Sequence, residues 1–185
     1  MDERELIQRM KSGDRAAFDQ IYEKYHVSLF RSAYLICGNR EDAEDVLQDT
    51  FVTCWLCIGQ VRKEESFRCW IFRIMTQTAR KRVKERSRQL PDEDIVNRID
   101  QIAVSRRMEA ADEYERTADK TVIEAALSAL DQASREVIVL YYYEEMSVRE
   151  VAKTLGILEG TVKSRLFFAR RKMKKILQEG GRCEK

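Results

Sequence analysis

The stretch Ser147-Val-Arg-Glu-Val-Ala-Lys-Thr-Leu-Gly156, running on into Glu159-Gly-Thr-Val-Lys-Ser-Arg-Leu166, decides how the last third of this chain folds. Ser147 followed three residues later by Glu150 is a capping box, in which each side chain satisfies a backbone donor left free at a helix start. Val148, Val151, Ala152 and Leu155 then recur at helical spacing and give that helix one buried face. Gly156 stops it, because glycine takes up the left-handed conformation a helix end usually needs. A second helix follows, and from Lys163 to Lys175 it carries no acidic residue. A short helix, a glycine break and a cationic second helix form a helix-turn-helix, which lays its second helix in the major groove of duplex DNA.

In that second helix Val162, Leu166, Ala169, Met173 and Ile176 form the apolar stripe. Lys163, Ser164, Phe167, Arg170, Arg171, Lys174 and Lys175 point elsewhere and are available to phosphates and base edges.

The rest of the 185 residues is of one character: 36% are charged, there is one proline, and helical periodicity dominates, which predicts an all-α chain. The net charge of +2 conceals segregation. Asp42, Glu44, Asp45 and Asp49 crowd one helix, while Arg80, Lys81, Arg82, Lys84, Arg86 and Arg88 form a basic block. A basic block suits nucleic acid, and the acidic one suits a basic partner surface. The charged N-terminus and the lack of a long apolar run predict a cytoplasmic protein with no membrane insertion. Five cysteines and one histidine, His26, give neither a disulfide framework nor a four-ligand zinc site, despite Cys54-x-x-Cys57. Cys37, Cys54 and Cys69 read as core packing, and Cys183 as an exposed residue of the polar tail. No catalytic triad, phosphate-cradling glycine loop or metal cluster is present in the sequence, so no cofactor, metal or small-molecule substrate is expected and an enzyme is a poor reading.

Along the chain, Asp14 caps a helix with Phe18, Ile21, Tyr22, Tyr25 and Leu29 on one face. Asn39 starts another, buried through Ala43, Val46, Leu47, Phe51, Cys54 and Trp55. Its opposite side aligns Glu41, Asp45, Gln48, Asp49 and Val52. Ser66 is expected to cap a third, with Phe67, Ile71, Ile74 and Thr78 inward and Arg73, Gln77, Arg80, Lys81 and Lys84 forming a basic stripe near Trp70. Pro91 and an excess of acids mark residues 89–119 as a flexible acidic linker. A helix through Val122, Leu127 and Leu130 follows, then a Ser134-capped helix through Val137, Leu140 and Tyr141, and then the helix-turn-helix.

The strings Glu41-Asp-Ala-Glu-Asp-Val-Leu-Gln-Asp-Thr-Phe51, Ser66-Phe-Arg-Cys-Trp-Ile-Phe-Arg-Ile74 and Glu159-Gly-Thr-Val-Lys-Ser-Arg-Leu166, in this order, resemble a bacterial sigma factor of the extracytoplasmic-function group, from about Leu6 to Leu177. The resemblance implies two small helical domains: domain 2 over residues 1–88, the linker over 89–119, and domain 4 with the helix-turn-helix over 120–185. It implies that Asp42, Asp45, Gln48 and Asp49 dock on the clamp helices of the largest subunit of core RNA polymerase, and that the flap of the second largest subunit holds domain 4. Phe67, Trp70, Arg73, Gln77, Arg80, Lys81 and Lys84 would capture the melted minus-ten strand by stacking and backbone contacts. Thr161, Lys163, Ser164, Phe167, Arg170 and Arg171 would read the minus-thirty-five duplex. An anti-sigma factor is an implied partner. Relatives commonly carry asparagine where Gln77 stands, an acid near Lys81, and arginine where Phe168 stands, so promoter preference does not transfer. The competing reading is a helix-turn-helix regulator not stably bound to polymerase, which would need a ligand pocket or dimer seam.

Overall fold

The computed structural model describes residues 2–89 and 118–180. The expected linker lies almost wholly outside the described residues, as does Cys183. Helices α1 (Glu3–Lys11), α2 (Arg15–Cys37), α3 (Arg40–Cys57) and α4 (Phe67–Gln89) form one group; α5 (Ala118–Ser128), α6 (Gln132–Ile138), α7 (Val148–Leu155) and α8 (Glu159–Gly180) form the other. The described residues contain no strand, and none of their helices is long and apolar enough to cross a membrane.

The caps explain the boundaries. The Asp14 carboxylate accepts from the amides of Ala16 and Ala17 at the start of α2, and the hydrogen bond from Arg9 holds that carboxyl below its usual range. Gly38 ends α2 at φ +79, where a side chain would be strained, and Asn39 then caps α3 by accepting from the Asp42 amide at 2.8 Å. α2, α3 and α4 close on Ile21, Leu29, Val46, Phe51, Phe67, Ile71, Phe72 and Met75, all buried. Cys37, Cys54 and Cys69 are buried with them, and burial pushes the Cys37 and Cys54 thiols up to about 12. A thiol held protonated in apolar packing is a poor nucleophile.

Two expected caps are elsewhere. Ser66 closes a 3-10 turn, Glu64–Ser66, and its hydroxyl accepts from Lys153 at 2.6 Å. α6 is capped by Asp131, which accepts from the Ser134 amide and hydroxyl; Ser134 sits inside the first turn instead of before it. Thr78 is only half-buried, and Phe72 and Met75 fill the core beside Ile71.

The two helical groups pack against each other through polar anchors set in apolar surroundings. Glu136 of α6 has no exposed surface, and its carboxylate accepts from Arg80 Nε of α4 at 2.8 and 3.0 Å. Beyond α6 the chain widens into a π turn, Val139–Tyr143, in which the Glu144 amide donates to the Val139 carbonyl, and Glu145 follows in the left-handed region at φ 51. Such π turns are rare and concentrate at functional sites. The side chain of Glu144 enters the interface and accepts from Ser28 and Ser32 of α2 at 2.6 and 2.7 Å. Arg68 of α4 lies 3.5 Å from the same carboxylate. Arg135 donates to the carbonyls of Leu127, Ser128 and Leu130 and, across the interface, to Ile36 at 3.0 Å. One partly buried guanidinium thereby satisfies the negative, C-terminal ends of helices from both groups.

Candidate nucleic-acid interface

The helix-turn-helix forms as its residues dictate. The Glu150 amide donates to Ser147 Oγ at 3.3 Å and the Ser147 amide to Glu150 Oε2 at 2.9 Å, closing the capping box. Those bonds hold the Glu150 carboxyl below its ordinary range. Gly156 turns the chain at φ 68, and Arg73 Nη2 of α4 stands 3.0 Å from where a side-chain carbon would begin there. Val151, Ala152, Leu155, Val162, Leu166 and Ala169 are buried between α7, α8 and α6. α8 is thus fixed by one face, and the other is in solvent.

Four of the six expected minus-thirty-five residues, Lys163, Ser164, Phe167 and Arg171, are exposed on that outer face. The Ser164 hydroxyl donates back to the Gly160 carbonyl at 2.9 Å. Thr161 is half-buried at the first turn. Arg170 is turned toward the π turn: its Nε donates to the Tyr142 hydroxyl at 2.6 Å and its guanidinium lies over the rings of Tyr141 and Tyr142 at 5.5 and 5.4 Å. Arg170, itself exposed, therefore also braces α8 against the preceding segment. The sequence did not show this brace, because the tyrosines meet Arg170 across a chain reversal.

On α4, Arg73, Gln77, Lys81 and Lys84 are exposed in a row. Phe67 is fully buried, its ring against Tyr25 at 5.6 Å and Trp70 at 5.8 Å. That burial withdraws Phe67 from the base-contacting set, while Trp70 is half-buried at the edge of the core. Arg80 is engaged with Glu136, whose hydrogen bonds raise the guanidinium's pKa further. The row of cations is thus continuous in sequence but divided in space, with Arg80 turned inward to α6.

The acids of α3 are not all turned to solvent. Arg82 reaches Asp45 at 3.1 Å and Asp49 at 3.8 Å, and Arg86 reaches Asp42 at 2.7 Å. Gln48 is exposed one step round the helix, on the rim of a groove of about 670 Å³ between α2 and α3. Phe18, Tyr22, Phe51 and Trp55 line it, and Val52 and Leu56 stand on its edge with 52% and 75% of their surface exposed. The aligned acids signalled this face in the sequence; the groove did not show there, because it takes α2 to complete it. The described residues hold no cluster of potential metal ligands.

Comparison with known proteins agrees with this arrangement. Sigma-70 region 2 matches residues 21–89 and sigma-70 region 4 matches residues 120–173. The ECF RNA polymerase sigma factor SigL of Mycobacterium tuberculosis is 32% identical over 92% of this chain and 94% of its own. The RNA polymerase sigma-H factor of Pseudomonas aeruginosa is 27% identical over 95% of this chain and 94% of its own. Among solved structures, CnrH in complex with the cytosolic domain of CnrY superposes with a TM-score of 0.71 at 29% identity, covering 96% of this chain and 97% of that one. The helix-turn-helix, the basic fourth helix and the α3 wall of the acid-flanked groove thus fall within matched regions, and the chain belongs to the ECF group of RNA polymerase sigma factors in the sigma-70 family.

Proposed function

We propose that the exposed faces divide promoter recognition between them, in a protein that acts in the cytoplasm by binding and not by turnover. Residues 120–185 form the unit that reads minus-thirty-five duplex through Lys163, Ser164, Phe167 and Arg171, and the polymerase flap carries it. Residues 1–88 form the unit that docks on the clamp helices through Asp45, Gln48, Asp49 and the rim of the α2/α3 groove, and that holds the melted minus-ten strand along Trp70, Arg73, Gln77, Lys81 and Lys84. The observation that carries this reading is the second cationic row on α4, separate from α8. A regulator that only binds duplex through its helix-turn-helix has no use for it, whereas an opened promoter needs both a duplex reader and a single-strand holder.

The contact between Arg80 and Glu136 adds a requirement. A carboxylate occupies the guanidinium where strand phosphates would pass, so engagement of minus-ten DNA exchanges Glu136 for phosphate and loosens α6 from α4. An anti-sigma factor is the natural opponent of that step. CnrH, with a TM-score of 0.71 to this chain, was solved with the cytosolic domain of CnrY bound, and a partner of that kind would hold this chain closed.

Run-off transcription with core polymerase over a genomic promoter library tests the reading. Discrete start sites that share two upstream elements are expected. Core binding without promoter-specific transcripts, or no core binding, would overturn it, and the second result would favour a stand-alone regulator.

A further inference from the structure

Two aromatic rings stand in solvent on α8. Phe167 and Phe168 are 61% and 64% exposed, and their rings meet edge to face with centroids 5.4 Å apart. Leaving phenylalanine in water forgoes most of the stabilisation that burial brings, so an adjacent exposed pair calls for a surface that covers it.

Helical geometry places the pair. At about 100° per residue, the buried Val162, Leu166 and Ala169 define one side of α8, and Gly160, Ser164 and Arg171 run along the opposite side. Phe167 falls on one flank of that line and Phe168 on the other, so the rings bracket a polar strip. Lys163, Arg171, Lys174 and Lys175 are exposed around them, and the helix holds no acid from Lys163 to Lys175. A rim of this charge fits a polyanion that also offers apolar groups. In the major groove of DNA that group is the C5 methyl of thymine; the remaining base edges there present hydrogen-bond donors and acceptors, which a phenyl ring cannot satisfy.

We propose that Phe168 is a specificity-determining residue of this chain: it packs on a thymine methyl in the minus-thirty-five element, on the flank opposite Phe167, with the base pairs between them read by Ser164 and Arg171. A phenyl ring has no donor or acceptor for the polar edges of guanine, cytosine or adenine, so thymine is the base this position favours. The inference rests on the reading of α8 as the minus-thirty-five reader.

Uracil lacks only the methyl, which makes the test chemical. Holoenzyme reconstituted from the full chain and core polymerase selects from duplexes randomised across the minus-thirty-five segment, synthesised once with thymine and once with uracil in its place. Thymine enrichment at positions flanking a polar-read step is expected in the first library, with loss of that enrichment in the second. On the selected duplex, removing the methyl opposite Phe168 should weaken binding about fourfold, the worth of one buried carbon. Phe168→Ala should bind thymine and uracil duplexes alike, Phe168→Leu should keep part of the difference, and both fold normally because the ring is exposed. Equal enrichment of uracil, or an unchanged thymine-to-uracil ratio for Phe168→Ala, would overturn the assignment while leaving the promoter reading intact. Selection of no sequence at all would overturn both.

Discussion

Arg80 holds a protein carboxylate where a DNA phosphate is proposed to sit. The pair is asymmetric: the Glu136 side chain is fully buried and that of Arg80 is 39% exposed. Removing one member of a fully buried pair costs about 3–5 kcal/mol because the other charge is left uncompensated. Arg80→Ala leaves the Glu136 carboxylate buried without its partner, so it should cost about 3–5 kcal/mol in urea denaturation of the full chain. Glu136→Gln leaves no buried charge, so it should cost less and tighten binding to single-stranded minus-ten oligonucleotide; weakened binding would contradict the exchange of Glu136 for phosphate. The basic character of Arg80 was legible in the sequence. Its partner was not, because Glu136 lies 56 residues away, and helical spacing says nothing about which face of one helix meets which face of another. The burial of Phe67 was open for the same reason: an aromatic at a helix start fits a core and a base platform equally until the packing of Tyr25 is known.

At the scale of single elements, local chemistry governs and the sequence is most readable. The capping box and the left-handed glycine of the helix-turn-helix stand where Ser147, Glu150 and Gly156 put them. Ser147→Ala should therefore cost about 1 kcal/mol, the usual worth of an N-cap, read by thermal unfolding. Gly156→Ala should cost about 1–2 kcal/mol from the left-handed backbone alone, and it would also displace the guanidinium end of Arg73. The depressed Glu150 carboxyl gives the cap a pH dependence: its contribution is complete above the ordinary glutamate range and is lost as pH falls through the lower folded value. The stability gap between Ser147→Ala and wild type should therefore narrow at acid pH to the share of the Glu150 amide bond to Ser147 Oγ, which protonation leaves in place. α3 is a contrasting element. Asp45 and Asp49 lie 44% and 56% exposed beside Arg82, so reversing their charge would set lysine against arginine and confuse folding with binding. The cleaner variant is Asp45→Asn with Gln48→Ala and Asp49→Asn. It should shift stability by less than about 1 kcal/mol, as exposed pairs do, while core polymerase affinity falls at least tenfold; unchanged core affinity would contradict docking through this face. The π turn and the misplaced cap at Ser134 mark the limit of local reading. Asp131 and Ser134 are both good N-caps, and a π turn is stabilised by what Glu144 reaches, namely Ser28 and Ser32 of a distant helix.

For the whole molecule, the two helical groups share one apolar core, and the contacts that set their orientation across it are polar anchors. Arg135 donates to four backbone carbonyls, including that of Ile36 across the interface. Each bond to a charged group contributes about 1.5–3 kcal/mol, and the cost of burying the guanidinium offsets part of that. Arg135→Ala combined with Glu144→Ala should separate the groups, seen as a larger radius of gyration by small-angle scattering. The all-α architecture and the order of the helices could be read from the sequence, whereas the closed packing could not, since periodicity fixes which face of a helix is buried and not against what. Whether one chain both joins polymerase and holds the opened promoter is decided by the exposed α4 row. The design spares Arg80, so that no buried carboxylate is orphaned, and replaces Arg73, Gln77, Lys81 and Lys84 by alanine. Permanganate reactivity of thymines around the start site then reports strand opening by holoenzyme. Wild-type assembly with core is expected, with loss of reactivity on duplex promoter and partial recovery on a promoter premelted over the minus-ten element, because the cost of unpairing has been removed. Wild-type reactivity of the quadruple variant on duplex promoter would contradict this role of the α4 row.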